Sequence, residues 1–177
     1  MSSNAQAAQP GTPQLIAVEP VVTAVVRGVV PMAGIRDFFD ASFRALGETL
    51  ARQQVAVLGP AFGLYHRPPG ETADLEVGFP TDRAVRTEGP EASEGPEGPE
   101  GTRGKVAVGA LPAARVARAM HHGSFDGLAA SWESLFAWVR AQGLTPGPVM
   151  WEVYVTEPTP EMSPDDLRTE LNCVVTG

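Results

Sequence analysis

The chain has 177 residues, of which 43% are hydrophobic, a single cysteine, and a formal net charge of −8. That length and apolar content suit one globular domain with its own core and exclude disorder throughout. The acidic balance argues against a nucleic-acid partner, the lone cysteine excludes an internal disulfide framework, and no apolar run reaches the roughly 18 residues of a membrane span.

Residues 1–13 are small and polar, carry neither a basic region nor an apolar core, and read as a disordered tail rather than a signal peptide. With one cysteine and no leader, the expected location is the cytoplasm. From residue 14 to 177 the chain reads as one domain. Leu15 to Val30 is rich in Val and Ile and predicts a strand, with Pro20 at an edge or a bulge. The period then changes: Ile35, Phe38, Phe39, Phe43, Leu46 and Leu50 form one apolar stripe and predict a helix over Gly34–Gln53. Two strands are expected next, Phe62–His66 and Leu75–Phe79, joined by the Pro-Pro-Gly turn of Arg67–Thr72. Residues 87–105 carry a Gly-Pro-Glu repeat that lacks any hydrophobic period and reads as a flexible acidic loop.

The plan then restarts. Val106–Val108 and Ala114–Met120 are strand material on either side of Leu111-Pro112. Ser124 is placed to cap a helix running to Gln142, with Gly143 as its stop. Leu128, Trp132, Leu135, Phe136 and Val139 form the stripe of that helix. Gly147-Pro148 opens a strand at Met150–Val155, residues 158–166 connect, and Leu167–Val175 is the last strand.

The two halves align element by element: Gly34-Ile35 with Gly127-Leu128, Phe39 with Trp132, Phe43 with Phe136, Gly59-Pro60 with Gly147-Pro148, and Tyr65 with Tyr154. One strand–helix–strand–strand unit cannot bury its own sheet face, so two are expected to pair. The fold class expected is α+β: two βαββ repeats (14–86 and 106–177) about a pseudo-twofold. That arrangement gives an antiparallel sheet, two helices on one face and a groove between them.

The stretches LPAARVARAMHHGSFDGLAASWESLFAWV, GPVMWEVYVTEP and RTELNCVV, with GPAFGLYH and DLEVGFPT in the first half, resemble the GyrI-like small-molecule-binding domain. This is the effector-binding part of AraC- and MerR-type multidrug regulators. The resemblance covers roughly residues 14–176. It implies a groove that binds hydrophobic, often cationic or planar compounds between aromatic walls over a carboxylate. It also implies, from some standalone members, hydrolysis of cyclopropane-containing alkylating natural products by a Glu helped by a Tyr. The strand pattern begins just after the tail, so a standalone member without a DNA-binding domain is expected.

Two carboxylates, Glu152 and Glu170, interrupt apolar strands. Periodicity leaves each free to face solvent or a cavity, and the family's match to Thr169-Glu170-Leu171 points to Glu170 as the groove carboxylate. Glu152 shares a strand face with Tyr154 and forms the alternative pair. The expected walls are Trp151, Trp132, Phe136, Phe39, Phe62, Tyr65 and Phe79, residues equally suited to plain core. His121 and His122 have no further ligands at metal spacing, the glycines form no phosphate-binding fingerprint, and neither Ser124 nor Ser131 sits in a nucleophile elbow. No metal or cofactor is therefore expected. The function expected is binding or sequestering of a hydrophobic or cationic small molecule. The alternatives are a hydrolase, with Glu170 or Glu152 as base and Tyr154 orienting, and a protein-interaction module such as a topoisomerase binder.

Overall fold

The computed structural model describes residues 13–86, 106–156 and 161–177; the expected tail up to residue 12 and the Gly-Pro-Glu loop lie outside the described residues. The elements in chain order are β1 (Gln14–Val18), β2 (Val21–Pro31), α1 (Ile35–Gln53), β3 (Phe62–Tyr65), β4 (Thr72–Pro80), β5 (Ala107–Leu111), β6 (Ala114–His122), α2 (Leu128–Ala141), β7 (Thr145–Tyr154) and β8 (Arg168–Thr176). A short 3-10 turn precedes each helix, Met32–Gly34 before α1 and Phe125–Gly127 before α2.

The strands form one antiparallel sheet in the order β1-β6-β8-β7-β3-β4-β2-β5, curled into a half-barrel. The β3–β7 pair, with Gly63 opposite Glu152 and Tyr65 opposite Met150, joins the strands of the first half to those of the second. The outermost strands cross over: β1 pairs with β6 and β5 with β2. The expected single strand Leu15–Val30 is thus two strands. Pro20 cannot donate to a ladder, and after it the chain leaves β6 for the β4–β5 side of the sheet.

Strand alternation gives the sheet two distinct faces. Val26, Leu75, Val77, Met150, Leu171 and Cys173 share one core cluster with Phe38, Leu46 and Leu50 of α1 and Trp132, Leu135 and Val139 of α2. Both helices therefore pack on the same face. The curl buries a second cluster on the other face, built from Val25, Phe62, Leu64, Val116 and Trp151. Cys173 is fully buried in the first cluster, and burial pushes its thiol up to about 11, so it is an inert packing group.

Two local expectations are corrected. The strand predicted at Met150–Val155 begins at Thr145, with a bulge between Pro146 and Met150. A Cβ at Gly147 would lie 3.1 Å from the Val174 carbonyl oxygen, which explains glycine at this close approach. Strand β3 pairs only from Met150 onward, so Pro146 and Pro148 lie where that flank of β7 has no partner. Ser124 makes no side-chain capping bond, because the 3-10 turn separates it from α2. Gly143 does end the second helix, with φ of +81°.

Two glycine substitutions should move stability in opposite directions. A Cβ at Gly78 would collide with the Ala24 carbonyl oxygen of the neighbouring strand. Gly78→Ala should cost about 1–3 kcal/mol in denaturant unfolding, as overpacking does. Gly47 lies within α1 with open space around it, so Gly47→Ala should add about 0.5–1 kcal/mol. A neutral Gly78→Ala would mean that β2 and β4 do not sit in this register.

Candidate functional site

Glu152 lies near the end of β7, turned toward the helices, and is only 6% exposed. Each of its carboxylate oxygens accepts one hydrogen bond. The Trp132 indole N–H, from the first turns of α2, donates to Oε2 at 2.8 Å. The Tyr154 hydroxyl, on the same strand face, donates to Oε1 at 2.8 Å. Burial raises the carboxyl's pKa above its usual value, opposed by these two donors and by the nearby His121. Desolvation also pushes the Tyr154 and Tyr65 hydroxyls upward, and the Glu152 charge adds to it, so both tyrosines stay protonated donors.

Aromatic rings surround this group. Tyr154 is flanked edge-on by Phe39 of α1 at 6.0 Å and by Phe125 at 6.1 Å. Phe39 continues to Phe43, which meets Phe79 of β4 at 5.5 Å. On the other side Trp132 stacks on Phe136 at 5.5 Å. Space for the Tyr154 hydroxyl comes from Gly63 on β3, where a Cβ would stand 2.9 Å from it. The arrangement is a carboxylate between two helices, lined by rings from both.

Among the residues expected from sequence, Glu152, Tyr154, Trp132, Phe136, Phe39, Tyr65 and Phe79 lie on the helix-bearing face. The structure turns Trp151 and Phe62 to the opposite face, where they pack together in the second cluster. Glu170 also lies on that face. Its Oε1 is 3.4 Å from Arg118 Nε and accepts a hydrogen bond from the Asn172 amide at 3.2 Å. No described group of three or more His, Cys, Asp or Glu residues is arranged to hold a metal ion. No helix among the described residues is long and apolar enough to cross a membrane.

Sequence reasoning passed over Phe125, His121 and Thr169. Phe125 is 44% exposed and lies edge-on to Tyr154. It occupies the 3-10 turn before α2, as Met32 does before α1, so the alignment of the two halves held a signal for it. His121 and Thr169 form a cross-strand pair, and Thr169 also pairs with Tyr154, so the three line up across β6, β8 and β7. Only strand register brings them together. A surface cavity of about 320 Å³ lies instead between β6 and α2, lined by Ala119, Ser131, Ser134 and Trp138 among others. It contains neither Glu152 nor the rings around it.

An antiparallel sheet with two helices on one face, and a carboxylate among aromatic rings between them, defines a small-molecule-binding domain. Residues 12–172 match the GyrI-like small molecule binding domain, and the chain belongs to that family. In structure it is similar to the C-terminal domain of EcmrR, with 16% identity and a TM-score of 0.74 over 95% of this chain and 99% of that one. It spans 60% of the EcmrR chain in the EcmrR–DNA complex. SAV2435 bound to tetraphenylphosphonium is similar at 14% identity and a TM-score of 0.61, over 94% of each chain. A hydrolase from Listeria innocua is similar at 13% identity and a TM-score of 0.60, over 99% of this chain and 98% of that one. No curated protein sequence matches the chain.

The raised pKa of Glu152 has a consequence for stability. The folded state holds the proton more tightly than the unfolded chain, whose carboxyl titrates near about 4.3. Stability is therefore lost as pH rises from that value through the raised one. Glu152→Gln keeps both contacts, since a tyrosine hydroxyl also accepts, and carries no charge. At pH 8 the variant should be more stable than the parent by on the order of 1 kcal/mol, the scale of a buried group's desolvation. The difference should shrink toward pH 4. Equal stability across that range would show that Glu152 is solvated.

Proposed function

We propose that the groove over Glu152 binds hydrophobic planar or aromatic cations and so sequesters or senses them. The observation that carries this reading is a desolvated carboxylate enclosed by aromatic rings from both helices. Ring faces attract cations, and a carboxylate out of water interacts with one strongly. The ligand-bound SAV2435 is consistent with the same chemistry, since tetraphenylphosphonium is a delocalised aromatic cation. The single thiol, buried and unpaired, suits a reducing compartment such as the cytoplasm.

The test is calorimetry with tetraphenylphosphonium and with triphenylphosphine oxide, a neutral aromatic of related shape. Glu152→Gln should weaken the cation roughly ten- to a hundredfold, the range of a charge-assisted contact, and leave the oxide nearly unchanged. Glu170→Gln, which acts on the Arg118 pair of the opposite face, should change neither. If Glu170→Gln weakens the cation and Glu152→Gln does not, the groove is on the other face. The pH dependence has a fixed sign. A cation binds the ionised carboxylate, so affinity should rise with pH through the raised pKa of Glu152 and then level off, with proton release on binding below it. In Glu152→Gln that slope should vanish.

The Tyr154 hydroxyl at 2.8 Å from Glu152 favours a second reading, hydrolysis of a strained electrophile such as a cyclopropane-containing alkylating compound. A carboxylate with a raised pKa is a stronger general base than an ordinary one. Glu152 would take a proton from water as the water oxygen, oriented by Tyr154, attacks the electrophilic ring carbon. The ring C–C bond breaks, and its electron pair passes to the compound's electron-accepting group, which takes up the proton from Glu152. Product analysis separates the two readings. A hydrolase loses turnover in Glu152→Gln while it still binds its substrate; a binding protein shows no product with either form.

A further inference from the structure

Thr169 sits on β8 directly opposite Tyr154 of β7 and two residue pairs from the Glu152–Leu171 pair, on the helix-bearing face. It is fully buried, and its hydroxyl has no hydrogen-bond partner among the described residues. Such a group is costly in a folded protein and calls for an explanation. Its other cross-strand neighbour, His121, cannot serve it. His121 Nε2 is engaged with the Ser124 carbonyl at 2.8 Å and Nδ1 with the Ser131 hydroxyl at 2.7 Å, so neither ring nitrogen is free for Thr169. The Tyr154 hydroxyl hydrogen is already engaged in its bond to Glu152. Oxygens able to accept therefore lie together on this face: the Glu152 carboxylate, the Tyr154 hydroxyl and the Thr169 hydroxyl.

From this placement we infer that the groove selects among cations, favouring aromatic ammonium ligands that carry N–H donors over fully alkylated ones, with Thr169 as the selecting residue. The inference rests on the proposed cation-binding role of Glu152 and specifies its ligand. A primary ammonium brings three donors, one for the carboxylate and another for the Thr169 hydroxyl oxygen. A trimethylammonium or phosphonium centre brings the same charge and no donor, so it gains from Glu152 and the rings alone. Thr169 is covered as the groove stands. The ligand nitrogen reaches it by displacing the half-buried Tyr154 ring, whose hydroxyl is held only by Glu152 among the described residues.

The test is calorimetry at pH 7 with 1-naphthylmethylammonium and its N,N,N-trimethyl counterpart, on the full chain. Thr169→Val keeps the shape of the side chain and removes the hydroxyl, so it should fold at least as stably as the parent. It should weaken the primary ammonium about tenfold and leave the trimethyl compound within roughly twofold, the effect of one hydrogen bond to a charged donor. Thr169→Ser restores the hydroxyl and should recover most of the loss. Glu152→Gln should weaken both probes. If Thr169→Val leaves the primary ammonium unchanged, or weakens both probes equally, Thr169 does not select and the inference fails. If the parent binds neither probe, or Glu152→Gln weakens neither, cation recognition by the groove fails and this inference falls with it.

Discussion

The pairing of the Glu152 carboxylate with Trp132 and Tyr154 ties the two layers of the domain together. A carboxylate placed between a sheet and two helices loses its water, and only donors of matching geometry can offset that loss. Here one donor comes from α2 and the other from the same strand two residues on. The indole bond fixes how α2 sits on the sheet, since Trp132 is buried and its ring also stacks on Phe136. The phenol bond positions the ring that Phe39 and Phe125 grip from either side. Helix placement, groove walls and charge thus follow from one desolvated group. Two donors do not fully replace water, and the residual cost is what a cationic ligand would relieve.

The two-faced sheet explains how much of this was legible in the sequence. Helical stripes were plain, because α1 and α2 each bury one side and their periods differ sharply from the flanking strands. Strand existence was plain for the same reason. Strand ends were less so where proline intervened: residues 145–149 extend β7 across a bulge, and Pro20 divides what the Val-rich composition presented as one strand. These are places where an isolated backbone group, not a side-chain period, decides pairing.

The choice between Glu152 and Glu170 was not legible, and the reason is physical. Alternation tells which residues share a face; it does not tell which face carries the helices when the curl buries both. Trp151 and Phe62 are more deeply buried than Glu152 or Trp132, yet they belong to the other cluster. In the same way β8 presents Leu171 to the helices and Glu170 and Asn172 to the opposite side, where Arg118 meets them. A carboxylate in an apolar strand reads the same in both settings. What separates them is the partner: a guanidinium for Glu170, two neutral donors and aromatic rings for Glu152. Partners set by cross-strand register, such as Gly63 beneath Tyr154 or Thr169 beside it, leave no trace in spacing along the chain.

Functional sites concentrate features that a purely stable protein avoids, and their coincidence is more telling than any one of them. Thr23 illustrates the point. Its hydroxyl is also fully buried and unpartnered, but it lies beside Gly109 at the β2–β5 edge, on the face away from the helices, with no aromatic cluster around it. It carries no functional implication by itself. On the helix-bearing face an unpartnered hydroxyl, a carboxyl held out of water, a phenol over a glycine and an exposed phenylalanine lie together. Packing alone would be better served by apolar side chains at Glu152 and Thr169, since both are desolvated and the Thr169 hydroxyl has no hydrogen-bond partner among the described residues. The fold is shared at 13–16% identity with proteins as different as the EcmrR C-terminal domain and a hydrolase from Listeria innocua, so the scaffold does not dictate these residues. Their coincidence in one place, at a cost to stability, sets this face apart from the other.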